Sequence, residues 1–212
     1  AKTLAAKLGY KYVDTGAMYR SVTLFCLKKG ILKDGKFFTD DVVNALDDIH
    51  LSFKYNPARE ASDIYLNKEN VEHDIRTMEV SNNVSHISVV KEVRDAMKKI
   101  QRRLGKDKAI VMDGRDIGTN IFPDAELKIF MTADTDIRTQ RRLDELKAKG
   151  THITFEEVKK NLMERDYEDS HRKESPLKKA DDAILLDNSD LTKEEQLGFA
   201  LKLVEDLKLE DK

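Results

Sequence analysis

The sequence predicts an α/β fold on a parallel sheet core, and three observations carry that prediction. Short, mostly apolar runs recur at 109–112 (Ala-Ile-Val-Met), 127–131 and 183–186. Stretches with apolar residues at helical spacing separate them, and strands that alternate with helices point to a parallel core. The run at 109–112 also leads straight into Asp113-Gly114-Arg115-Asp116. So apolar a run reads as a strand buried on both faces, and its charged sequel then lies at the strand's carboxyl end, where ligands bind in open α/β sheets.

Each element follows from local signals. Leu4, Ala5 and Leu8 give the first segment helical spacing, and Gly9 is a stop signal. Tyr12-Val13 is a short strand running into the turn Asp14-Thr15-Gly16, and a helix is expected from about Ala17 to Lys29. Gly30 and Lys33-Asp34-Gly35-Lys36 then turn the chain into a short helix around Asp40 to Asp48. Leu51, Phe53 and Tyr55 alternate with polar residues, Asn56-Pro57 breaks the run and Ile64-Tyr65-Leu66 resumes it, which reads as a β-hairpin. From Ser88 to Leu104, Val89, Val93, Met97, Ile100 and Leu104 trace one helical face that Gly105 ends. Strands are expected at 109–113, 127–131 and 183–187. Helices are expected from about Asp134, from Phe155 to Tyr167 with a stop at Ser175-Pro176, and from Thr192 to Leu207.

Composition narrows the function classes. Charged residues make up 37% of the 212, yet the net charge is only −2, so nothing in the balance favours nucleic acid or an anionic membrane. Lys98, Lys99, Arg102 and Arg103 fall opposite the apolar stripe and read as solvent-facing. The single cysteine, Cys26, sits in an apolar helical stretch and reads as a small hydrophobe in a reducing cytosol. No apolar run approaches the roughly 20 residues of a membrane span, and no signal peptide is visible. The five histidines show no metal-ligand spacing.

The chemistry concentrates in a few segments. Two carboxylates and a guanidinium in Asp113-Gly114-Arg115-Asp116 suggest a phosphate and magnesium site, although alone the cluster reads equally as a charged turn. A second strand-to-turn segment, Tyr12-Val13-Asp14-Thr15-Gly16-Ala17-Met18-Tyr19-Arg20, adds a hydroxyl and an arginine five residues apart at a helix start. With Ile75–Val80, Val93-Arg94, Phe122–Ala125 and Arg165–Arg172, these segments fall in one order along nearly the whole chain. Together they resemble the bacterial cytidylate kinase family, which phosphorylates CMP and dCMP from ATP.

The resemblance implies a P-loop-type parallel core of residues 1–16, 105–134 and 176–212, a nucleoside monophosphate-binding domain of 17–104, and a helical lid of 135–175. It implies that Arg20, Arg115 and Arg172 bind the CMP phosphate with Thr15, and that Arg165 and Asp169 reach ribose and phosphate from the lid. It sets Ser85, Arg94 and Asp116 against cytosine, Arg138 over the ATP base and Arg142 at the transferring phosphoryl group. Asp113 is implied to hold Mg2+ through water, and Arg115, Arg142, Arg165 and Arg172 are implied to carry the catalysis. Asp116→Ala is expected to erode the preference for CMP over UMP by one to several orders of magnitude, and unchanged kcat/KM ratios would remove Asp116 from that role. Arg76 matches the family without a role beyond a structural salt bridge. A monomer in the cytoplasm, with CMP, dCMP and ATP as partners and neither nucleic acid nor membrane, completes the expectation.

One element of the family pattern is missing. The glycine-rich phosphate loop, Gly-x-x-x-x-Gly-Lys-Ser/Thr, is absent, and Ala1–Gly9 reads as the rest of the helix that should follow it. The chain is therefore expected to begin inside the domain, and a polypeptide starting at Ala1 to bind ATP poorly. Two other readings stay open: a kinase of the same fold with another acceptor, and a CMP-binding protein without kinase activity.

Overall fold

A computed structural model describes residues 1–59, 61–148 and 150–210. Glu60, Lys149, Asp211 and Lys212, which fall within the expected domain limits, lie outside the described residues. The chain divides into two compact units, Ala1–Ile117 and Gly118–Lys212.

In the first unit, α1 (Lys2–Leu8) ends at Gly9, whose φ of 67° lets its N–H return to the carbonyls of Ala5 and Ala6. Strand β1 (Lys11–Asp14) leads directly into α2 (Thr15–Lys28), because the Asp14 carboxylate caps it by accepting from the Ala17 N–H at 2.9 Å. A short α3 (Thr39–Ala45) and the antiparallel strands β2 (Leu51–Asn56) and β3 (Ala61–Leu66) follow. Asn67 and Lys68, both at positive φ, turn the chain into a third strand, β4 (Glu69–Asn70). Then come α4 (Met78–Ser88), α5 (Lys91–Leu104) and β5 (Ile110–Asp113). Val13, Met18, Val22, Cys26, Ile64, Ile75, Ile87, Val93 and Met97 are buried in one cluster that joins these elements.

Two expectations are corrected here. The helix expected from Ser88 starts at Lys91, Val89 is half exposed, and α4 precedes it as a separate helix. Val80, Val84 and Ile87 supply its buried stripe, but the polar residues between them mask the period in the sequence. Strand β5 pairs in parallel with β1, Lys11 opposite Ile110 through Asp14 opposite Asp113, yet Ile110, Val111 and Met112 are only half buried. Among the described residues β5 has a strand on one side only, so its other edge and the side chains along it lack the shelter of a neighbouring strand.

The second unit holds β6 (Ile129–Thr132), α6 (Thr135–Ala148), α7 (Phe155–His171), β7 (Ile184–Asp187) and α8 (Lys193–Glu210). Strands β6 and β7 pair in parallel. Leu143 and Leu146 of α6 meet Val158 of α7, with Ile153, Phe155 and Leu162 around them. A capping box between Thr154 and Glu157 starts α7, which runs four residues past the expected end at Tyr167. No helix among the described residues is long and apolar enough to cross a membrane.

Candidate active site

Parallel pairing of β1 and β5 sets Asp14 opposite Asp113 at the carboxyl ends of both strands. The Thr15 hydroxyl ties the ends together, donating to the Asp113 carbonyl at 2.6 Å. Gly114 is required beside that bond, because a Cβ there would run into Thr15 Oγ1 and lie 2.9 Å from Ile117 Cδ1. Tyr12, two residues before Asp14 and so on the same face of the strand, donates its phenol to Asp113 Oδ2 at 2.9 Å.

Desolvation by the surrounding protein, and then the charge of Asp14, push the Asp113 carboxyl up to about 6, against the Tyr12 hydrogen bond and the charge of Arg115. The same desolvation, together with Asp113 and Asp14, raises the Tyr12 phenol above its ordinary range. A carboxylate whose charge is disfavoured by a neighbouring aspartate at a strand end suits a divalent cation, which relieves that repulsion and accepts oxygen ligands. The donor set therefore fits magnesium.

Around this centre the first unit arranges its arginines in distinct ways. Arg20 donates from Nη1 to Ser81 Oγ at 2.8 Å, with a longer approach of 3.5 Å to the Ile75 carbonyl. Arg76 donates to Glu72 Oε1 from Nε at 3.0 Å and from Nη2 at 2.6 Å, and reaches Asp14 Oδ2 at 3.3 Å, so it forms the structural salt bridge expected of it. Glu72 also accepts from Arg59, whose Nη1 donates to the buried Asp63 at 2.6 Å. Arg94 is buried, and its Nη2 donates to the equally buried Asp116 at 2.7 Å. Its Nη1 reaches the Ser88 carbonyl at 3.3 Å, and its guanidinium lies 5.8 Å from the Tyr19 ring centre. Ser85 is half buried on α4, one turn beyond Ser81, and Arg115 is exposed.

Of the expected residues, this unit thus joins Thr15 to Asp113 and Arg94 to Asp116. It seats Arg20 against Ser81, which the sequence did not single out. Tyr12 was missed as well, though its position two residues before an aspartate in a strand was a usable signal.

The second unit carries the remaining candidates. Arg138 makes a two-pronged bond to Asp166, at 2.7 and 3.0 Å, linking α6 to α7. Arg142 pairs with Glu145 on its own helix at 2.7 Å. Arg165 is half buried on α7. Asp169 accepts from Arg172 Nη1 at 3.2 Å, and Arg172 Nε donates to the Ser175 carbonyl at 2.8 Å. Asp166 was missed as the partner of Arg138, since nothing in the local spacing links positions 28 residues apart. Among the described residues no group of three or more histidine, cysteine or acidic side chains is placed to hold a metal unaided, so an ion here would need water or phosphate oxygens.

The family model described as cytidylate kinase matches residues 1–206. A cytidylate kinase of Bacteroides thetaiotaomicron is 56% identical over 196 residues, covering 92% of this chain and 86% of the relative. One from Flavobacterium johnsoniae is 53% identical over 207 residues, 98% and 90% of the two chains. One from Porphyromonas gingivalis is 52% identical over 203 residues, 95% and 88% of the two chains. A family match over nearly the whole chain, with relatives more than half identical across both units, shows that the chain belongs to the cytidylate kinase family.

Proposed function

We propose that the protein transfers the γ-phosphoryl group of ATP to CMP or dCMP, giving ADP and CDP or dCDP. The observation that carries this reading is the pairing of β1 with β5, which brings the family segments Asp14–Arg20 and Asp113–Asp116 to one end of one sheet. Phosphoryl transfer asks chiefly for positioning and for charge neutralisation.

Asp113, facing Asp14, is the group that would hold Mg2+ through bound water, and the ion would neutralise charge on the nucleotide phosphates. Arg20 and Arg115 would bind the CMP phosphate, since a planar guanidinium can present two parallel donors to its oxygens. Thr15 spends its hydroxyl proton on the Asp113 carbonyl, so its contribution is to fix the strand ends that carry the metal and phosphate groups. Asp116, oriented by Arg94, would accept a hydrogen bond from the exocyclic amino group of cytosine and repel the carbonyl that uracil presents instead, with Ser85 as a further polar contact.

The roles of the second unit rest on the family pattern. Arg138 would lie over the adenine, Arg142 would meet the transferring phosphoryl group, and Arg165, Asp169 and Arg172 would contact CMP. Residues 17–104 would form the monophosphate-binding domain and 135–175 the lid. Action as a cytoplasmic monomer, without nucleic acid or membrane, belongs to the same proposal.

The test is product formation with MgATP and each of CMP, dCMP, UMP and AMP. CDP and dCDP should form in a magnesium-dependent reaction that favours the cytosine nucleotides. Equal use of AMP or UMP would refute the assignment, as would failure to form any nucleoside diphosphate in a polypeptide that also carries the glycine-rich phosphate loop.

A further inference from the structure

A flexible arginine loses rotamer freedom when it grips a phosphate, so a group that holds it beforehand reduces that loss. Arg20, near the start of α2, has such a group in Ser81. The Ser81 hydroxyl is buried, accepts from Arg20 Nη1 at 2.8 Å, and is backed by the longer approach to the Ile75 carbonyl. Hydroxyl and carbonyl are both neutral, so these two contacts orient the guanidinium without cancelling its charge.

The seat itself is fixed. The Thr77 hydroxyl caps α4 by accepting from the Val80 N–H, and the Ser81 N–H donates to the Thr77 carbonyl at 3.0 Å. Ser85 stands four residues further along α4 and so on the same helix face.

We propose that Ser81 is a positioning residue that orients Arg20 for the phosphate of CMP. One face of α4 then carries both the seat for the phosphate-binding arginine and the serine assigned to the base. This inference rests on the reading of Arg20 as a phosphate ligand.

The test is calorimetric binding of CMP and of cytidine, which lacks the phosphate, to the full chain and its variants. Ser81→Ala should weaken CMP about tenfold, the scale of one hydrogen bond to a charged group. Cytidine affinity should stay within about twofold, and Ser81→Thr should restore CMP binding. Ser81→Cys, near in volume but a poor acceptor, should behave like Ser81→Ala and carries the test if the alanine variant does not fold. If Arg20→Met weakens CMP selectively while neither Ser81→Ala nor Ser81→Cys does, the inference falls and the reading of Arg20 stands. If Arg20→Met leaves CMP binding unchanged, both fall. An equal loss of CMP and cytidine in the Ser81 variants would show general damage to α4 and would also overturn the inference.

Discussion

Replacing Asp116 by alanine would strand a guanidinium that cannot shed its charge. The two side chains are only 7% and 8% exposed, and they meet at 2.7 Å. Removing one partner of a buried pair costs about 3–5 kcal/mol, most of it the penalty of the charge left behind. Arg94 would keep the Ser88 carbonyl at 3.3 Å and the face of Tyr19, which places the loss near the lower end, about 3 kcal/mol. Replacing both groups with apolar residues of similar size removes the stranded charge, so Arg94→Met/Asp116→Leu should recover to within about 1 kcal/mol of the parent. Urea unfolding followed by circular dichroism measures all three proteins. A loss below about 1 kcal/mol in Asp116→Ala, or a double variant no more stable than the single one, would refute the reasoning. The CMP/UMP selectivity of Asp116→Ala has to be read against the fraction folded, because one carboxylate would serve both the base and the core.

Three further outcomes follow from the geometry. Gly114→Ala should cost about 1–3 kcal/mol by overpacking against Thr15 and Ile117, with part recovered in Gly114→Ala/Thr15→Ala; parent-like unfolding of the single variant would count against the clash. Cys26 is fully buried and its thiol is pushed up to about 11, so maleimide labelling at pH 8 should run about two orders of magnitude slower in the native chain than in urea, and equal rates would contradict the burial. Burial works to raise the Asp63 carboxyl, but hydrogen bonds from Asn56 and Asn70 and the charge of Arg59 outweigh it and hold the group below its ordinary 3.8. With the folded value depressed, its stabilisation is present above the unfolded value and is lost as pH falls through the folded one; Asp63→Asn should therefore flatten the acid limb of the stability–pH curve, and an unchanged limb would refute the assignment.

Much of this was legible along the chain, and the reasons for the misses differ. The strand at 110–113 and the hairpin at 51–66 announced themselves because apolar runs and period-two alternation are local signals. Helix α4 stayed hidden, since only three apolar residues mark its buried side and two asparagines and three serines lie between and around them. The half-buried state of β5 was invisible because burial depends on what lies beside a strand. Among the site residues, family segments pointed to Asp113, Arg115 and Asp116, whereas the pairings of Arg20 with Ser81 and of Tyr12 with Asp113 become apparent only when residues 61 and 101 positions apart are brought together.

The distance along the chain between β1 and β5 also governs how the protein emerges from the ribosome. Tyr12 and Asp113 are 101 residues apart, so at about 5–20 residues per second β1 waits roughly 5–20 s for its neighbour. Meanwhile the hairpin can close on itself, because Asn56 and Ala61 meet across a few residues. Co-translational folding of the first unit should therefore begin in its middle, leaving the nascent Val13 segment as a target for holdase chaperones until synthesis passes Asp113.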